Sequence, residues 1–231
     1  MIAITSISPG HKNYENQRIA IDSWIKAGYE VVSLNVAEEI ELLEKEFKDV
    51  KFIHTFRHTK HIFGKPYVTA SALIDYIKEA KSKYSLLINS DIIIDDQNDS
   101  VEKIKEYSED GVVIMNRRDF INSHSEGVVY ERGFDGFFIN YKWIDIFPQT
   151  ILSLGQCFWD YWLPYSAIVN KVKVMNLKEP YLFHKKHNVQ YSVDQWRRTG
   201  DIFKAEMGLA KFARAEQVSD YVFKQIRLHT R

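Results

Sequence analysis

The sequence predicts an α/β fold, a three-layer α/β/α sandwich around a mostly parallel central sheet, with helices added at the C-terminal end. Three observations predict it. Short apolar runs alternate with amphipathic segments through the first 115 residues. The stretch SLLINSDIIIDD at residues 85–96 reads as a strand buried on both faces, broken by Asn89-Ser90-Asp91. Residues 193–231 are charged, with Ile202, Phe203, Met207, Leu209, Phe212, Val218, Tyr221, Val222 and Ile226 at helical spacing.

Taken in order, residues 2–7 form an apolar run halted by Ser8-Pro9-Gly10, a strand opening into a loop. Residues 13–26 place Ile19, Ala20, Ile21, Trp24 and Ile25 on a helix that stops at Gly28, and residues 30–36 resume as a strand. A charged amphipathic helix at 38–48 and a short strand at 51–55 follow. Residues 54–65, HTFRHTKHIFGK, read as a polar, basic loop. Its His54, His58 and His61 invite a zinc reading, but no carboxylate falls in the pattern, which favours a solvated or anion-facing loop. Pro66 favours a first helical turn, so the expected helix at 66–84 carries Lys65 at its N-terminus, where phosphates are held; a solvated lysine is the plainer alternative.

Residues 100–109 predict a helix capped by Asp99 or Ser100, and 111–115 the next strand. Residues 116–119 and 122–127 read as loop, after which Asp135 stands between Gly133 and Gly136 just before a strand. A short helix broken by Pro148 is expected within 141–154, and an aromatic helix at 157–170. There Asp160 lies among Phe158, Trp159, Tyr161 and Trp162, a costly setting for an acid unless it is paired or working. Residues 171–177 alternate as a strand, 181–187 lead into a loop, and 193–231 read as two helices packed on the domain or as a partner-binding tail.

Composition narrows the function. Lys plus Arg and Asp plus Glu number 31 each, so no global field points to nucleic acid or an anionic membrane, while small polar or anionic ligands stay open. The 13 Tyr, 14 Phe and 5 Trp suit stacking on ring-shaped ligands, and an ordinary core equally well. One cysteine, Cys157, excludes an intramolecular disulfide and a cysteine-built metal site, and sets a reducing, cytoplasmic default. The N-terminus lacks signal-peptide features and no stretch approaches the ~20 apolar residues of a membrane span, so membrane contact is expected to be peripheral at most.

A buried strand ending in a carboxylate marks a candidate site. In open α/β sheets ligands collect beyond the carboxyl ends of strands, where Asp91 is placed to hold a hard cation and, through it, a diphosphate. The plainer reading is a strand end before an Asp-rich helix start.

The order of basic loop, Gly64-Lys65-Pro66, long helix, buried strand and Asn89-Ser90-Asp91 resembles the donor half of GT-A glycosyltransferases, in particular the family-2 group. The resemblance covers roughly residues 1–187. It implies a GT-A domain at 1–190, with a nucleotide-sugar half at about 1–97 and an acceptor half at about 98–190, and a helical extension at 191–231. Position by position, Thr5, Ser6 and Ser8 line the nucleotide base and ribose, and Lys65 sits near the base or diphosphate. Asp91 matches the second acid of Asp-x-Asp, a ligand for Mn²⁺ or Mg²⁺. Asn89 stands where the first acid belongs and keeps an amide for a ribose hydroxyl, with Ser90 beside it. His184 matches a late His that completes the metal shell, and Arg117 or Arg118 offsets diphosphate charge. Asp160 is similar to the acceptor-side base of inverting members, with Trp159 in place of the family's Glu. Asp135 is the second choice, facing donor sugar or acceptor through its flanking glycines.

What the resemblance implies is a glycosyltransferase moving a sugar from a nucleoside-diphosphate sugar, UDP- or GDP-linked, to a hydroxyl on a glycan or lipid-linked glycan, metal-assisted and inverting. A retaining course stays open, as does the oligomeric state. Two alternatives share the pattern: a sugar-phosphate nucleotidyltransferase, for which Ser8-Pro9-Gly10-His11-Lys12 is a poor Gly-rich loop, and a non-catalytic domain binding sugar nucleotide or glycan.

Overall fold

The computed structural model describes residues 1–10, 14–96, 100–187 and 192–230. Four strands, β1 (Ile2–Thr5), β2 (Glu30–Asn35), β3 (Val50–His54) and β4 (Tyr84–Ile88), lie parallel in the order β3-β2-β1-β4. Their crossovers carry α1 (Tyr14–Lys26), α2 (Ala37–Glu46), the single turn α3 (Lys60–Phe63) and α4 (Ala70–Ala80). Beyond β4 the order continues β8-β6-β9-β5, where β5 is Ile92–Ile94, β6 Gly111–Phe120, β8 Gly136–Asn140 and β9 Lys173–Lys185. The short β7 (Val128–Val129) pairs with β6. The expected mostly parallel sheet is thus parallel through its first four strands and across β6–β9, and antiparallel where β8 enters between β4 and β6 and where β5 joins β9.

Period-2 alternation divides the core between the two faces of this sheet. On β8, Phe137 joins one apolar cluster and Phe138 the other; on β4, Leu87 opposes Leu86 and Ile88. One face packs Trp24 of α1, Leu43 of α2 and Ile104 of α5 (Ser100–Ser108). The other packs Leu73, Ile74 and Ile77 of α4, Trp162 of α6 (Trp159–Val169), Phe203 of α7 (Val193–Glu206) and Val218, Val222 and Ile226 of α8 (Ala215–His229). Helices on both faces give the three layers. Among the described residues, no helix is long and apolar enough to cross a membrane.

Several expectations change. Residues 85–96 are not one interrupted strand: the chain turns at residues 89–91, and Ile92–Ile94 joins β9 at the far edge of a curled sheet, with the Trp24 indole donating to the Ile92 carbonyl at 2.7 Å. Residues 116–119 are not loop but the second half of β6, displaced by a bulge between Met115 and Arg117. Residues 181–187 do not simply leave a strand; β9 runs on through Lys185, resuming its pairing with β6 at Leu182. The helix expected from Pro66 starts at Ala70, capped by the Thr69 hydroxyl, because residues 67–69 bridge to His58 and Ser153 instead. Lys65 is therefore on a connection between helices, not at a helix N-terminus. The basic loop itself contains α3, closed by Gly64 at φ 75°. In place of the expected Pro148-broken helix there is a 3-10 helix at Tyr141–Ile146. The proposed Asp99 cap, the start of the first helix at Asn13 and the His11-Lys12 pair lie outside the described residues.

Candidate active site at the strand ends

The carboxyl ends of β1 and β4, the bulged half of β6, the loop before β8, the entry to α6 and the end of β9 enclose one cleft of about 730 Å³. On the β1 side its wall is set by a hydrogen-bond chain. Ser33 accepts from the Ile7 amide at 2.9 Å and donates to Asn35, whose amide in turn donates to the Ile7 carbonyl and to Glu39 at 2.8 Å each. This holds residues 6–9 as the lip of the cleft, which Ser6 and Ser8 line. Thr5 does not: it is fully buried inside β1, and no partner is found for its hydroxyl. Lys65 lines the cleft from its loop, and Gln17 reaches in from α1 to donate to Ser90 at 2.9 Å.

Asp91 follows the turn out of β4 and meets two imidazoles of β9 and its exit. His187 Nε2 is 3.0 Å and His184 Nε2 3.7 Å from its Oδ2. Among the described residues, Asp91, His184 and His187 form the metal-compatible cluster, one ligand atom from each lying within 4.8 Å of the others. Asp119 on β6 accepts from His184 Nδ1 at 2.9 Å, which fixes the ring and aims Nε2 at Asp91. Burial alone would raise the Asp91 carboxyl, but the two imidazoles outweigh it and hold it far below the usual carboxylate range. Burial works against charging His184, yet Asp119 and Asp91 raise it to about 9. The His54, His58 and His61 reading fails on geometry: His54 packs on the Phe56 ring, and His58 Nδ1 accepts from the Lys60 amide.

Asp135, 4 % exposed, is the second anchor. Its Oδ1 accepts from Arg117 Nη1 at 2.8 Å and from the Asn89 amide at 3.0 Å, while its buried Oδ2, on the cleft wall, has no partner. This explains the Asn at position 89. A carboxylate there would face the Asp135 carboxylate at hydrogen-bond distance, whereas the amide supplies a donor. Arg117 also bonds Asp119 at 2.7 Å and lies 4.5 Å over the Tyr130 ring. Burial disfavours its charge, but the two carboxylates restore it and raise the guanidinium above its ordinary range. Arg118 points elsewhere, donating to the Gly127 carbonyl. Of the two glycines beside Asp135, Gly136 makes room for Leu182 and Met115 of the core rather than for a ligand. Gly133 makes room for the Tyr130 ring, and a side-chain carbon there would also come within 3.8 Å of Asp160 Oδ2.

Asp160 sits in the first turn of α6, whose preceding residue Phe158 is held at φ 68° by packing against Tyr161, Trp196 and Phe203. Its carboxyl accepts backbone hydrogen bonds, including those of Phe134 and Tyr161, which favour the charge. Burial, reinforced by the Asp135 charge, wins and pushes it up to about 7. Because the folded chain then holds the Asp160 proton more tightly than the unfolded chain, stability falls as pH rises from about 4 to about 7 and levels off above. Asp160→Asn, which carries no charge to bury, is therefore expected to melt above the wild type at pH 8, by about 1–2 kcal/mol after allowance for solvent in the cleft, with the gap closing toward pH 4. Thermal denaturation across that range checks it.

The cleft thus brings together Ser6, Ser8, Lys65, Asn89, Ser90, Asp91, Arg117, Asp135, Asp160 and His184, and leaves out Thr5 and Arg118. Sequence reasoning missed His187 and Asp119 as site residues. The spacing His184-x-x-His187 was the available signal for the first; Asp119 had none while its segment was read as loop.

No family model matches the chain, and no curated protein matches it. Among solved structures, S. aureus TarS, a GT-A-type glycosyltransferase, superposes with TM-score 0.56 at 14 % identity over 98 % of this chain and 43 % of that one. Its fragment 1–349 superposes with TM-score 0.50 at 17 % identity over 80 % of this chain and 60 % of the fragment. The fold is GT-A. A protein from Bacillus anthracis described as a glucose-1-phosphate thymidylyltransferase matches at TM-score 0.46 and 10 % identity over 78 % of this chain and 87 % of that one, below the level that marks a shared fold. This GT-A chain spans about half the length of the TarS structures it matches.

Proposed function

We propose that the chain is a family-2-like, inverting glycosyltransferase that moves a sugar from a nucleoside-diphosphate sugar to a hydroxyl acceptor. One observation carries this reading: a single cleft joins the Asp91, His184 and His187 cluster to Asp160, a carboxyl poised near neutrality. A cation site supports departure of a diphosphate, and a carboxyl of that character supports proton removal from an incoming hydroxyl.

The donor set fits a divalent cation. One carboxylate and two imidazoles suit Mn²⁺ better than Mg²⁺, which prefers an all-oxygen, octahedral shell. Asp91, His184 and His187 would hold it, with Asp119 orienting His184. When bound, such an ion neutralises the negative charge that grows on the departing diphosphate. Lys65 adds positive charge to the same cleft, Arg117 is paired with Asp119 and Asp135 and holds the latter in place, and residues 6–9 and Gln17 form the lip for the nucleoside.

In the transfer itself Asp160 accepts the proton of the acceptor hydroxyl. The acceptor oxygen bonds the anomeric carbon as the bond from that carbon to the phosphate oxygen breaks, and the electron pair leaves with the nucleoside diphosphate. Asp135 is held by Arg117 and Asn89 with one oxygen unpartnered, a geometry that suits a hydroxyl of the transferred sugar or the developing positive charge at its anomeric carbon. Phosphorus NMR tests the reaction class on the protein with Mn²⁺, given in one arm UDP-, GDP- and dTDP-sugars with an oligosaccharide mixture as acceptor, and in the other a nucleoside triphosphate with a sugar phosphate. Release of nucleoside diphosphate is expected. Pyrophosphate formed from a nucleoside triphosphate and a sugar phosphate would point to nucleotidyl transfer instead.

A further inference from the structure

The wall that carries Asp160 also carries an unexplained amide. Gln156 is 6 % exposed, and neither its side-chain oxygen nor its nitrogen has a hydrogen-bond partner, although the residue lines the cleft. Buried polar atoms without partners are rare, and an amide with both ends unmade is a costly arrangement for folding alone. Its backbone is firmly placed. The Leu154 amide donates to the Val68 carbonyl at 3.0 Å, the Gln156 amide to the Ser153 carbonyl at 3.1 Å, and Gly155 takes φ 77° with its Cα side turned against the Tyr67 ring. A side-chain carbon at Gly155 would come within 3.3 Å of that ring, so the loop is fitted to it. Burial raises the Tyr67 phenol, and the Gln156 amide beside it lowers it in part.

Two aromatic side chains line the same cleft. Trp196 of α7 lines it with its ring centroid 5.3 Å from that of Phe158, and Tyr67 lines it from the connection before α4. We propose that Gln156, Tyr67 and Trp196 form a subsite for a sugar ring of the acceptor, so that the acceptor class is a carbohydrate. The chemistry is specific to that class. An amide offers one donor end and one acceptor end, which match adjacent ring hydroxyls, and aromatic faces match the C–H faces of the same ring. Position assigns the ring to the acceptor: Gln156 lies four residues before Asp160 on the loop that enters α6, so a sugar held there stands on the side of the cleft where Asp160 takes its proton. The nucleoside lip, made by residues 6–9 and Gln17, comes from the end of β1 and from α1, elements that carry neither Gln156 nor Trp196.

This inference rests on the glycosyltransferase reading for the word acceptor, and the test separates the two. The full chain, wild type and Gln156→Ala and Trp196→Phe, is applied without donor to an array of bacterial and eukaryotic oligosaccharides. Hits are quantified by intrinsic tryptophan fluorescence, and circular dichroism confirms that each variant is folded. In parallel, UDP-, GDP- and dTDP-sugars are titrated into the same proteins with Mn²⁺. The wild type is expected to retain a subset of glycans and Gln156→Ala to weaken them about tenfold, the loss of one or two good hydrogen bonds. Trp196→Phe, which keeps a ring but shrinks the platform, is expected to weaken them less. Failure of the folded wild type to bind any glycan overturns the subsite, as does a Gln156→Ala variant that binds glycans unchanged or that instead loses affinity for nucleotide sugars. Glycan binding in a protein indifferent to every nucleotide sugar keeps the sugar subsite and overturns the glycosyltransferase reading.

Discussion

Asp160→Asn is expected to lower the transfer rate by about 10²–10⁴-fold while leaving the affinity for the sugar-nucleotide donor within a factor of about two. The reasoning is electrostatic. Burial and the nearby Asp135 charge lift this carboxyl to about 7, which places its basic form within reach at neutral pH and makes it a stronger base than an ordinary aspartate. The asparagine keeps the size and loses the base. In the wild type the rate should rise with pH through about 7 and then level off, since only the deprotonated carboxylate accepts the hydroxyl proton. Steady-state kinetics between pH 5 and 9 check both statements. A variant with full activity would move the base to Asp135; a flat profile would remove proton transfer from the slow step.

The second large effect concerns the cation cluster. Asp91→Asn or His187→Ala each removes one of the three ligands that converge at the turn out of β4 and the exit of β9. Loss of an outer partner of a metal ligand typically costs about 10–100-fold in metal affinity, and loss of a ligand itself should reach at least the upper end of that range. Mn²⁺ titrations followed by electron paramagnetic resonance read this directly. The same variants should lose the cation-dependent part of donor binding and keep the remainder, contributed by residues 6–9, Gln17 and Lys65. Unchanged Mn²⁺ affinity in both would show that the three side chains hold each other rather than an ion.

The alternating order of strands and helices through β4 was legible because apolar periodicity carries it, and Asn89-Ser90-Asp91 stood out because polar groups break a doubly buried run. Asp135 and Asp160 were legible for a related reason: acids among glycines and aromatics need a purpose. The rest depended on long-range pairing. Arg117 and Asp119 look like loop residues, yet they continue β6 past a bulge because their charges are satisfied by each other, by Asp135 and by His184. The alternation at residues 171–177 shows only the first part of β9, which runs on through Lys185 and resumes its pairing with β6 at Leu182. Pro66 signalled a helix start that the Thr69 cap then placed four residues later, because the intervening backbone pairs with residues 58 and 153.

Isothermal titration of UDP-, GDP- and dTDP-sugars into the wild-type protein, with Mn²⁺ and with EDTA, tests most directly whether this cleft holds a nucleotide-sugar donor through a cation. At least one donor is expected to bind, and to bind tenfold or more tightly with Mn²⁺ than with EDTA. Indifference to every donor, or equal affinity with and without the ion, would contradict it.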